Sequence, residues 1–194
     1  MRAPADRARL ERFLQGLGRT LRRPIRLYLV GGAVLVDLNL RYATLDVDFV
    51  ARAEDPEALA DFERCIPRLK EELNVNVEPA SPEDFMPVPR AALDQSPFVR
   101  MYGNVAVDYY HLYHLPSLVL AKAARSAERD LDDIERLVRA RLVPWQAVED
   151  AWSEVRTRDT GWLRHTPAEV EGRLEMLRRR LASAGLLDRS TDAT

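Results

Sequence analysis

The stretch that decides the fold reads Leu29-Val30-Gly31-Gly32, then thirteen residues (33–45), then Asp46-Val47-Asp48-Phe49. Ahead of it, Pro24 introduces Ile25-Arg26-Leu27-Tyr28-Leu29-Val30, a β-type run that the two glycines stop. Residues 33–40 are apolar without alternation and suit a short buried helix. Leu45 to Val50 alternates through Phe49, which predicts a strand with Leu45, Val47 and Phe49 on one face and both aspartates on the other. Two carboxylates that close repel each other unless a cation lies between them. Magnesium, which takes a few carboxylates together with substrate phosphates, is the natural occupant. Gly31 and Gly32 end a strand and begin a helix, so backbone N–H groups there can receive a phosphate at close range. A phosphate cradle beside a carboxylate pair is the basic equipment of metal-assisted phosphoryl or nucleotidyl transfer.

Working outward, Leu10, Phe13, Leu14 and Leu17 recur at helical spacing and predict an amphipathic helix over 4–17. Asp55-Pro56 opens a helix reaching about Cys65, which Pro67 is expected to break or kink before it ends near Leu73. Asn74–Glu78 and Asn104–Leu112 read as two further strands, separated by a proline-rich loop. Asp108 lies on the polar side of the second and adds a third acid, on a strand expected to pair beside that of Asp46. After Pro116 the composition becomes helical: 117–140 lacks Gly and Pro, Pro144 starts another helix, and Thr166-Pro167-Ala168-Glu169 is a capping box. Val170, Leu174, Leu177 and Leu181 give that last helix its apolar stripe, with Gly185 as its C-terminal cap. The expectation is an α+β chain with an α/β core over 1–115, a helical region over 116–188 and a frayed tail over 189–194.

With 29 Lys+Arg against 31 Asp+Glu, the net charge of −2 excludes a surface built throughout for nucleic acid, though not a local basic groove. No apolar run approaches the ~18 residues of a membrane span, so no membrane partner is expected. The start lacks a signal-peptide core, and the single Cys65 precludes an intramolecular disulfide or a cysteine metal cluster. A soluble, cytoplasmic protein is the resulting expectation.

These motifs resemble those of the nucleotidyltransferase superfamily, the polymerase-β-like fold. Val30-Gly31-Gly32 followed by Asp46-Val47-Asp48-Phe49 matches its signature, with the gap at the long end. Arg41, Thr44, Asp46 and Asp48 resemble the Arg-x-x-Thr-x-Asp-x-Asp form of the abortive-infection type IV toxin group. That group also carries a helical Lys-x-x-Arg and a following Asp-bearing motif, matched here by Lys122-Ala123-Ala124-Arg125 and Arg129-Asp130-Leu131-Asp132-Asp133-Ile134. The likeness covers about residues 27–138 and leaves 145–187 unmatched.

The resemblance implies a mixed sheet with flanking helices. It also implies a nucleoside triphosphate substrate, two Mg²⁺ ions on Asp46 and Asp48 with help from Asp108, and pyrophosphate as leaving group. Gly31, Gly32, Arg41, Thr44, Lys122 and Arg125 would handle the nucleotide, and Lys122 with Asp130 would complete the catalytic set. The acceptor would be a tRNA 3′ end, a protein hydroxyl or a small molecule; a toxin role would bring a cognate antitoxin. The alternatives are a catalytically silent module binding a nucleotide or a partner, and a phosphoesterase using water. Helical spacing independently puts Lys122 and Arg125 on one face, and Asp130 and Asp133 on one face. His111, His114 and their neighbouring tyrosines read as packing, and Arg178-Arg179-Arg180 as a solvated helix end.

Overall fold

The computed structural model describes residues 2–103 and 107–187, with the backbone alone for 107–109. Its chain divides into two units, Met1–Ser81 with Leu93–Tyr113, and Pro82–Ala92 with His114–Thr194. Together they make an α+β protein, with seven α-helices and a mixed five-stranded sheet among the described residues. No helix among them is long and apolar enough to cross a membrane.

The first unit is built on β2 (Ile25–Leu29), β4 (Asp46–Arg52), β5 (Asn76–Pro79), β6 (Phe98–Tyr102) and β7 (Val107–Leu112). The sheet order is β5-β4-β2-β7-β6; β4 and β7 flank β2, antiparallel and parallel respectively. Their buried positions (Leu27, Leu29, Val47, Phe49, Val77, Tyr110) form the core. Two short strands, β1 (Ala5–Asp6) and β3 (Ala43–Thr44), pair antiparallel beside them. Three helices complete this unit: α1 (Arg7–Thr20), α2 (Gly31–Asp37) and α3 (Pro56–Glu72).

Several expectations shift. The first helix starts at Arg7 because the Asp6 side chain caps it, accepting from the Arg9 N–H. It runs on to Thr20 through two glycines, Gly16 tucked against Leu69 and Gly18 against the backbone of Tyr102. Pro67 breaks nothing: α3 is continuous, and Pro67 and Glu63 are both exposed, so the carbonyl deprived of its donor meets water. Leu45 lies outside β4 and is 56% exposed, not on the apolar face with Val47 and Phe49. The proline-rich stretch contains an unforeseen strand, β6. The Asp108 strand does not neighbour the Asp46 strand, because β2 lies between β7 and β4. Of the strand expected over 104–112, the first three residues lie outside the described ones, as does the tail from 189.

The second unit holds a 3₁₀ turn (Pro82–Asp84) and four helices: α4 (Leu115–Arg125), α5 (Glu128–Arg139), α6 (Trp145–Val155) and α7 (Pro167–Ser183). The stretch 117–140 is therefore two helices, separated where Ser126 takes a left-handed conformation at φ 57°. Thr166 and Glu169 close the reciprocal capping box, and Val170, Leu174, Leu177 and Leu181 are buried as their spacing requires.

Candidate functional site

In the first unit the backbone itself ties the glycine pair to the aspartate strand. The Val30 N–H donates to the Asp48 carbonyl at 3.1 Å, directly before Gly31 opens α2. Gly31 sits at φ +58°, a conformation that favours glycine. A Cβ there would run into the Asp48 carboxylate, with Cγ at 3.0 Å and one oxygen closer still. A Cβ on Gly32 would meet the Arg41 Nη1 at 2.9 Å, with the Thr44 hydroxyl closer. Gly31 is thus favoured by its backbone conformation, and at both glycines side chains lie pressed close to where a Cβ would stand. Asp48 abuts the first, and Arg41 and Thr44 abut the second. The structure brings together Gly31, Gly32, Arg41, Thr44 and Asp48, residues the sequence singled out on three separate segments.

The helix that follows has only seven residues, so its end supplies little field of its own. Any anion here would rely on the backbone N–H groups of the turn and on Arg41 and Thr44. The second aspartate, Asp46, is half-buried on the same face of β4 as Asp48. β5 runs parallel to β4 with Asn76 opposite Asp46 and Glu78 opposite Asp48. The Asn76 amide donates to Asp46 at 2.5 Å and to Glu78 at 2.7 Å. Asn76 and Glu78 are polar neighbours of the aspartates whose sequence pattern points only to a strand. Their period-2 placement in Asn74–Glu78 was the available signal, but the β4–β5 register was not.

Among the described residues no group of three or more His, Cys, Asp or Glu is arranged to hold a metal ion. The donor set of Asp46 and Asp48 nevertheless fits magnesium, which needs only one or two carboxylates when substrate phosphates fill other positions. Asp108 lies on β7, and its side chain is outside the described residues.

In the second unit Lys122 is 2% exposed, and its ammonium donates to Asp130 at 2.9 Å and to Asp133 at 2.7 Å. Arg125 Nη2 donates to Asp130 at 2.6 Å. The left-handed turn at Ser126 makes this closure possible by folding α5 back so that both aspartates face Lys122. The four residues form one cluster. Lys122, however, is occupied by two carboxylates, and Arg125, about two-fifths exposed, is the cation of the cluster that solvent reaches. Its guanidinium lies 5.0 Å from the ring centre of Phe85, which Arg164 also covers at 4.9 Å.

The remaining singled-out residues are packing. His111 stacks on Tyr28 at 4.9 Å, and its Nδ1 shares a hydrogen bond with the Ser96 carbonyl. His114 Nδ1 shares one with the Ser117 hydroxyl. Burial pushes the Cys65 thiol up to about 11, so it behaves as a small hydrophobe. Arg178 and Arg179 pair with Glu149 and Glu175, and Arg180 with Glu128 and Asp132. No family model, curated protein or solved structure matches the chain.

Proposed function

We propose that this chain is a Mg²⁺-dependent nucleotidyltransferase with a polymerase-β-like core, transferring a nucleoside monophosphate from a triphosphate to an acceptor hydroxyl. The observation that carries the reading is the convergence on the glycine pair. Asp48 abuts Gly31 while Arg41 and Thr44 abut Gly32, so carboxylate, cation, hydroxyl and backbone donors share one turn.

Asp46 and Asp48 would hold the magnesium, which when bound supplies charge neutralisation on the triphosphate. The turn and Arg41 hold phosphate oxygens, and the Thr44 hydroxyl adds a donor. Asn76 fixes the Asp46 carboxylate from the neighbouring strand. The acceptor oxygen bonds to the α-phosphorus while the bond to the bridging oxygen breaks. Pyrophosphate leaves with that electron pair, and the acceptor proton passes to solvent or to a carboxylate. Asp108 is the sequence's candidate for that last role. The assignment of Lys122, Arg125 and Asp130 to nucleotide handling rests on their motif and stays part of the proposal. A tRNA 3′ end, a protein hydroxyl and a small molecule are the acceptors to be tried.

The test incubates purified protein with Mg²⁺, each α-labelled nucleoside triphosphate in turn, and total tRNA or cell lysate. Label should pass to an acceptor, and Asp46→Ala with Asp48→Ala should abolish the transfer. Binding of nucleotide without transfer to anything would overturn the proposal in favour of a silent binding module. Release of label to water would overturn it in favour of a phosphoesterase.

A further inference from the structure

The same unit carries a second feature that none of the motifs anticipates. Between the C-terminal half of α1 and the helix α3 lie two adjoining cavities of about 360 and 260 Å³. They share Thr20, Arg22 and Arg68, and so form one groove. Arg12, Arg19 and Arg64 complete its cationic lining, against two acids, Asp61 and Glu72. The groove is therefore net positive by three in a chain whose net charge is −2.

The partners of these arginines show which are available. Arg64 is engaged by Asp61, while Arg68 donates to the Thr20 hydroxyl at 2.9 Å and lies 3.3 Å from Glu72. Arg12, Arg19 and Arg22 are exposed and make no ion pair with another described residue. Three like charges facing one concavity repel, an arrangement that an anion would relieve. All five cations are arginine, whose planar fork binds phosphate oxygens in pairs where an ammonium offers a point charge.

We infer that the α1–α3 groove binds the phosphodiester backbone of a nucleic acid strand. Two cavities side by side, each lined by arginine, suit successive phosphates better than a single small anion. A lipid surface fits poorly, because the large exposed apolar residues (Tyr42, Leu45, Phe98, Met101 among them) all lie outside the groove, leaving no anchor to insert. None of the lining residues belongs to the Asp46–Asp48 site, so binding here can be measured apart from the proposed reaction.

The experiment is fluorescence anisotropy of the full chain with labelled single-stranded and duplex RNA oligonucleotides, in EDTA, over a series of salt concentrations. Engaging three phosphates predicts log K falling against log salt with a slope of about −2 for a single strand. The combined variant Arg12→Gln, Arg19→Gln, Arg22→Gln should weaken binding at least tenfold at low salt and flatten the slope towards zero. The matching triple Lys variant should recover most of the affinity, with unchanged thermal melting of both variants confirming the fold. Asp46→Ala with Asp48→Ala should bind RNA like the parent, so loss of transfer and loss of RNA binding are read separately. The inference is overturned if the parent binds no oligonucleotide at low salt, or if the Gln variant keeps the parent's affinity and slope. It is equally overturned if a poly-glutamate peptide binds more tightly than RNA.

Discussion

Replacing Lys122 by Met separates the two roles open to this residue. In the structure the ammonium is 2% exposed and bonded to two carboxylates, Asp130 and Asp133, whose side chains are 10% and 4% exposed. Removing it deprives the two buried carboxylates of the ammonium they share, while Arg125 still reaches Asp130. Breaking a buried pair by deleting one partner costs about 3–5 kcal/mol, mostly from the uncompensated charge left behind. At about 2–4 °C per kcal/mol for a chain of this size, the melting transition of the helical unit should fall by roughly 6–20 °C. Neutralising the aspartates as well (Lys122→Met, Asp130→Asn, Asp133→Asn) should restore most of that loss. The assay is thermal unfolding followed by circular dichroism, beside urea unfolding of the same proteins. A single variant that melts within about 2 °C of the parent, a loss of under ~1 kcal/mol, would refute the account of Lys122 as the centre of a buried ion cluster. Loss of turnover at undiminished stability would instead identify it as a free triphosphate ligand.

Three further outcomes follow from the same geometry. Gly31→Ala should remove transfer activity and destabilise the first unit by about 1–3 kcal/mol, since the residue must hold positive φ with its Cβ against the Asp48 carboxylate; an active, equally stable variant contradicts this. Asn76→Ala should weaken Mn²⁺ binding, read by electron paramagnetic resonance titration, about 10–100-fold, because Asp46 loses the donor that orients it; unaltered affinity would deny Asn76 that positioning role. Burial, the largest cause, holds His111 and His114 below their ordinary value of 6.5. In the window between 6.5 and those lower folded values the unfolded chain binds more protons, so stability is full above 6.5 and falls as pH drops through the window. Melting at pH 7.5 and 5.5 should show this fall, reduced by His111→Phe; a rise in stability at the lower pH would contradict it.

What was legible in the sequence was whatever is decided locally. The alternation around Asp46 and Asp48 fixed a strand and its polar face, and the glycine pair marked the point where β2 gives way to α2. The capping box at Thr166 and the stripe down α7 are likewise short-range patterns. The features that escaped depend on partners far along the chain. β6 is an edge strand with Phe98 and Met101 exposed, so its residues lack the alternation that burial on one face would impose. The placement of β2 between β4 and β7 is a matter of pairing, which no local pattern encodes, and it moved the Asp108 strand away from that of Asp46. Asn76 gains its meaning only from the parallel register that sets it opposite Asp46. The helical spacing of Lys122 with Arg125, and of Asp130 with Asp133, was visible as two separate faces. That the faces close on each other follows from one left-handed residue, Ser126. The arginine groove was hidden in a balanced total charge, because Arg12, Arg19 and Arg22 come together with Arg64 and Arg68 only when α1 packs against α3.

The central claim is that the glycine turn and the two aspartates of β4 direct attack at the α-phosphorus of a nucleoside triphosphate. Position-specific labelling tests it most directly: the same triphosphate, carrying ³²P at the α-position in one reaction and at the γ-position in another, is offered with Mg²⁺ and the acceptor pool. The account predicts that α-label enters the acceptor while γ-label appears only in pyrophosphate, and that both signals vanish in Asp46→Ala with Asp48→Ala. Acceptor labelled from the γ-position, or α-label transferred undiminished by the double variant, would contradict it.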